Sequence, residues 1–131
     1  MKILIIDDSG MVRKTIRRYA LKFFPDAEYI PAKNGKEGIN KYIEENLVKK
    51  TGHPDLVFLD LLMPEMDGIE TLRNIKKFHK DAYVVIVTAD IQPPVRKKAM
   101  QLGCKQFLNK PFTEEAMNDV VEKWKQSRGS E

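Results

Sequence analysis

The most regular feature of the chain is an apolar run that recurs and each time stops on a polar residue. Ile3-Leu4-Ile5-Ile6 ends on Asp7-Asp8, and Leu56-Val57-Phe58-Leu59 ends on Asp60. Tyr83-Val84-Val85-Ile86-Val87 ends on Thr88, and Phe107-Leu108-Asn109 ends on Lys110. Unbroken apolar runs of this length, set off by Pro and Gly, predict strands buried on both faces. A weaker run, Glu28–Ala32, contains Pro31, whose missing N–H assigns that strand to a sheet edge.

The segments between the runs carry helical periodicity. Ser9 can cap a first helix that turns Val12, Ile16, Tyr19, Ala20, Phe23 and Phe24 inward until Pro25 stops it. Asn34-Gly35 leads into a second, with Ile39, Tyr42, Ile43 and Leu47 on its apolar side. Gly68 opens a third that reaches about Phe78 through Leu72 and Ile75. Pro93 and Pro94 suit the first turn of a fourth, predicted to point Val95, Ala99 and Leu102 inward and Arg96, Lys97 and Lys98 outward, with Gly103 as its stop. Thr113 can cap a fifth, whose buried stripe is Ala116, Met117, Val120, Val121 and Trp124.

Five strands in strict alternation with five helices predict an α/β fold, a parallel sheet doubly wound with helices on both faces. At 131 residues the chain is one domain, expected over 1–126 with 127–131 as a short disordered tail.

Charge narrows the picture little. Lys and Arg exceed Asp and Glu by 23 to 19, for a net charge of +4, which favours acidic partners only in a general way. The basic face of the first helix, Arg13, Lys14, Arg17, Arg18 and Lys22, is either solvated surface or a docking site for an acidic partner. Nucleic acid ranks below both because no aromatic residues interleave with these charges. The amino-terminal apolar run is four residues long, too short for a secretion signal or a membrane span, so a cytoplasmic protein is expected. The single cysteine, Cys104, is expected as a small core residue, and His53 as an exposed loop residue with no second His or Cys at metal spacing.

The candidate chemistry lies where the runs stop. In an open parallel sheet all strand carboxyl ends share one edge, where ligands bind, so Asp7, Asp8, Asp60, Thr88 and Lys110 should converge. Two carboxylates 4 Å apart at an effective dielectric of 20 repel by about 4 kcal/mol, so such a cluster requires positive charge. Lys110 supplies some. Mg2+, which accepts one or two carboxylates, a carbonyl and retained waters, suits the rest.

The set Asp7-Asp8, Asp60-Leu61-Leu62-Met63-Pro64, Met66-Asp67-Gly68, Thr88-Ala89 and Lys110-Pro111-Phe112 resembles the CheY-like receiver domains of bacterial two-component response regulators, from Ile3 to about Trp124. The resemblance implies a flavodoxin-like sheet in the order 2-1-3-4-5. It implies Asp60 as acceptor of a phosphoryl group from a histidine kinase, a phosphotransfer protein or a small phosphodonor. Mg2+ would be held by Asp8, Asp60 and the Leu62 carbonyl, with Asp7 helping through water. It further implies that Thr88 donates its hydroxyl to a phosphoryl oxygen, that Lys110 neutralises charge, that Phe107 shifts as the threonine moves, and that Leu62 and Asp90 flank the path of hydrolytic water. The output surface would be the fourth helix, fifth strand and fifth helix, bearing Arg96, Lys97, Lys98, Lys105 and Lys123.

These implications describe a signalling switch that catalyses only its own phosphorylation and dephosphorylation and then binds a downstream target protein, in chemotaxis or another pathway, as a monomer or a phosphorylation-dependent dimer. No effector domain follows the fifth helix, so a stand-alone receiver is expected. The rival is a Mg2+-dependent phosphotransferase or phosphatase acting on an external substrate, for which tight strand and helix alternation leaves little room for a substrate pocket.

Overall fold

The computed structural model describes residues 1–48, 52–63, 66–89 and 92–129, without the side chains at 47, 48 and 129. The Leu47 side chain, Pro64, Asp90 and residues 130–131, each given a place above, therefore lie outside what is described. The strands are β1 (Lys2–Ile6), β2 (Glu28–Ala32), β3 (Leu56–Asp60), β4 (Val84–Thr88) and β5 (Gln106–Asn109). The helices are α1 (Gly10–Ala20), α2 (Gly35–Ile43), α3 (Gly68–Phe78), α4 (Pro93–Gln101) and α5 (Glu114–Gly129), with a π-helical turn, Glu44–Val48, continuing α2.

All pairings are parallel and the strand order is β2-β1-β3-β4-β5. Pro31 sits opposite Ile5 on the edge strand β2, where the absent N–H leaves no second neighbour unpaired. Alternation along the buried strands sorts their side chains into two layers. Leu4, Ile6, Val57, Leu59, Val84 and Ile86 pack with Tyr42, Leu72, Ile75 and Ala99 beneath α2, α3 and α4. Ile3, Ile5, Leu56, Phe58, Val85 and Val87 pack with Ile16, Met117, Val120, Val121 and Trp124 beneath α1 and α5. Each fully buried Leu or Ile contributes about 1.5–3 kcal/mol, so these layers rather than helix propensity hold the helices down.

The helix starts follow the capping residues. The side chains of Ser9, Asn34 and Asp67 accept the N–H groups of Val12, Glu37 and Glu70, and Thr113 accepts that of Ala116. Gln92 makes no side-chain cap, and α4 begins instead on its two prolines. Gly68 brings α3 against the end of β3: a Cβ there would lie 2.5 Å from both the Asp60 carbonyl oxygen and Leu61 Cα. Only glycine fits that approach, and it fixes the chain directly after Asp60.

Three expectations are corrected. Residues 127–129 continue α5 instead of fraying, because Ser127 donates to the Trp124 carbonyl at 2.6 Å and Arg128 reaches Asp55 at 3.2 Å while its guanidinium lies over the Trp124 ring. Val95, expected inward, is 38% exposed, and Ala99 is the one buried residue of α4, so this helix lies lightly on the sheet. His53 is not a plain loop residue. Its ring stacks on His79 with centroids 3.7 Å apart, while the Tyr42 hydroxyl and His79 Nδ1 share a 2.6 Å hydrogen bond. Parallel stacked imidazoles direct their in-plane lone pairs side by side rather than at one point, so the pair is a packing element and does not form a chelate.

Candidate functional site

Parallel registration brings the strand ends together. Ile6 pairs with Leu59, so Asp7 follows at the level of Asp60; Asp60 pairs with Val87, and Thr88 with Asn109, which precedes Lys110. A 2.7 Å bond from the Lys110 N–H to the Thr88 carbonyl ties the last two ends to each other, and the Lys110–Pro111 peptide is cis. Asp7, Asp60 and Thr88 are buried, whereas Asp8 is exposed. One carboxylate oxygen from each of Asp7, Asp8 and Asp60 lies within 4.8 Å of the others.

The polar groups are largely committed to one another. Lys110 Nζ stands 2.9 Å from Asp7 Oδ2 and 3.5 Å from Asp60 Oδ1. Asp7 Oδ1 accepts the Ser9 N–H at 2.9 Å, and Asp60 Oδ1 accepts the Leu62 N–H at 3.2 Å. Burial pushes the Asp60 carboxyl from 3.8 up to about 6, and the neighbouring Asp7 and Asp8 push the same way, against Lys110 and the Leu62 N–H. One lysine beside three acids leaves the cluster short of positive charge. Exposed Asp8 opens it to water on one side, which is the donor chemistry a hard, partly hydrated cation such as Mg2+ accepts. The Leu62 side chain is 73% exposed at the mouth.

Periodicity puts Arg13 on the outward basic face of α1, open to solvent or to an acidic partner, but its side chain bends back to the site. Its Nη1 donates to the Asp7 carbonyl at 2.6 Å, so the turn after β1 is held from both the backbone and the side chain. The available signal was a basic residue in the second turn of a helix that starts just after the acids, and periodicity alone reads such a residue as outward-facing. Arg17 and Arg18 of the same face lie over the rings of Tyr29 and Tyr19.

This is a flavodoxin-like α/β fold in the order 2-1-3-4-5, an order for which CheY is itself a standard example, with an acid and lysine cluster on its carboxyl edge. The family model for the response regulator receiver domain matches residues 3–122. Chemotaxis protein CheY of Bacillus subtilis is 36% identical over 124 residues, covering 93% of this chain and 95% of its own. A CheY-like receiver domain protein from Methanospirillum hungatei superposes with a TM-score of 0.82, covering 99% of this chain and 98% of its own, at 21% identity, and so speaks to the fold. The structure of a CheX–CheY–BeF3–Mg2+ complex from Borrelia burgdorferi gives a TM-score of 0.77 at 30% identity, over 94% of this chain and 87% of its own. The chain belongs to the response regulator receiver domains and is CheY-like, a module of two-component signalling. Among the described residues, no helix is long and apolar enough to cross a membrane.

Proposed function

We propose that Asp60 is the phosphoryl acceptor of a signalling switch. The observation that carries this reading is Lys110 Nζ within 3.5 Å of Asp60 and 2.9 Å of Asp7, beside three acids whose oxygens gather within 4.8 Å. Asp8, Asp60 and the Leu62 carbonyl would hold Mg2+, with Asp7 acting through water. When bound, Mg2+ supplies the charge neutralisation that phosphoryl transfer requires beyond what Lys110 gives.

In the transfer, an Asp60 carboxylate oxygen bonds to phosphorus as the bond from phosphorus to the donor breaks, and the electron pair leaves with the donor, the imidazole of a phosphohistidine or the leaving group of a small phosphodonor. Asp60 acts ionised, so its raised pKa places its working range above about pH 6 unless bound cation lowers it. Lys110 stabilises the phosphoryl oxygens. Thr88, at the buried end of β4, donates its hydroxyl to one of them, and the pull on the segment after β4 passes to Phe107 on the neighbouring strand.

Donors of the phosphoryl group are a histidine kinase or a phosphotransfer protein. The output is a downstream target protein bound at the α4, β5 and α5 face. The CheY relatives favour a chemotaxis role. Incubation with acetyl phosphate and Mg2+, followed by intact-mass measurement, tests the proposal: one phosphoryl group per chain is expected, lost in Asp60→Asn. Modification that survives in Asp60→Asn, or catalytic turnover of an external phosphoester, would refute it.

A further inference from the structure

Phe107 stands opposite Ile86 and packs against the layer beneath α2, α3 and α4. The Arg96 guanidinium reaches down from α4 and lies over its ring, 4.3 Å from the centroid. Ala99 is the one buried residue of α4, and this stack is a direct contact between α4 and β5. The sequence of α4 contains no acidic residue, and among the described residues Arg96, Lys97 and Lys98 make no ion pair. Val95 and Met100 add exposed apolar surface, Met100 one helical turn beyond Arg96.

We propose that Arg96 is the latch between the phosphoryl site and the docking face, and that the group which takes it over is a carboxylate on an acidic segment of the partner protein. The inference rests on the receiver reading above. A guanidinium over an aromatic face stabilises the ring position it covers. Any displacement of Phe107 on phosphorylation therefore has to overcome that stack, so the latch favours the unphosphorylated arrangement. Once the ring has moved, the guanidinium has lost its platform, and a carboxylate, bound by its planar fork in bidentate fashion, replaces the contact. Lys97 and Lys98 add charge but no planar group, so they raise affinity for acidic segments in either state, whereas Arg96 makes affinity depend on the state. By linkage, an acidic partner then strengthens phosphorylation as much as phosphorylation strengthens the partner.

The test is a titration with BeF3 and Mg2+, a stable stand-in for the aspartyl phosphate, followed by NMR on the native chain, Arg96→Gln, Phe107→Leu and the double variant. In the free native chain the Arg96 side-chain protons should carry an upfield ring-current shift that changes on BeF3 binding. Arg96→Gln should bind BeF3 about two- to five-fold more tightly, the reach of an exposed cation–π contact, and the gain should vanish in the Phe107→Leu background. Loss of a positive charge near an anion site would by itself weaken binding, so the expected sign separates latch from general electrostatics. Equal or weaker binding by Arg96→Gln, or the same gain in both backgrounds, overturns the latch while leaving the receiver reading in place. Failure of the native chain to bind BeF3 at all overturns both.

Discussion

Asp60→Asn should make the metal-free protein more stable at neutral pH. The folded protein holds the Asp60 proton up to about pH 6 against an ordinary 3.8, a shift of about 2 pK units, or about 3 kcal/mol at 1.36 kcal/mol per unit. A group whose folded pKa is raised contributes stability that is fully present below the unfolded pKa and lost as pH rises through the folded one. The native chain therefore carries this penalty at pH 7.5, and it shrinks below about 1 kcal/mol near pH 4. Asparagine carries no charge and can still accept the Leu62 N–H, so the variant escapes the penalty without leaving that donor unpaired. Urea unfolding in EDTA at the two pH values should show the variant ahead by about 2–3 kcal/mol at pH 7.5 and nearly level at pH 4. Excess Mg2+ should close the gap, since a ligand at 100 times its Kd adds about 2.7 kcal/mol to the chain that binds it. A variant no more stable than the native chain at pH 7.5, or a gap that does not narrow in acid, would show that the acids do not strain the folded state as argued.

Three further outcomes are expected. The exposed Leu62 side chain cannot orient water by a hydrogen bond, so Leu62→Asn should shed its aspartyl phosphate faster than the native chain, and decay rates that match would count against the position. Reversing Lys97 and Lys98 to Glu should weaken binding of the phosphorylated chain to its downstream partner, with the loss fading at high salt, and unchanged affinity in calorimetry would rule out an acidic contact there. Burial lowers the His79 pKa below 6.5, His53 and Lys76 lower it further and Asp81 opposes them, so its contribution is present above the unfolded value of 6.5 and is lost as pH falls from there through the lowered folded value. The urea midpoint of the native chain should therefore drop more between pH 7.5 and 5.5 than that of His79→Gln, and parallel drops would exclude the stacked pair as the cause.

Much of this molecule is written locally. An apolar run such as Leu56 to Leu59 can satisfy its side chains only between two covering layers, and Ser9, Asn34, Asp67 and Thr113 each satisfy a free helix N–H a few residues on, so strands, helix starts and strict alternation are legible one segment at a time. The carboxyl-edge cluster was legible too, because parallel pairing sends every run's last polar residue to the same edge. What depended on distant segments was not. His53 and His79 meet only when the approach to β3 folds against the end of α3, and Arg96 finds Phe107 only when α4 settles over β5. Arg13 reads as solvent-facing by periodicity, yet its long side chain bends back along the helix to a carbonyl left open at the turn. Residues 127–129 read as tail because local pattern cannot see Asp55 waiting for Arg128. Sequence pattern reports where a backbone buries its apolar face; where a long charged or aromatic side chain ends up is decided by whatever partner the tertiary fold brings within its reach.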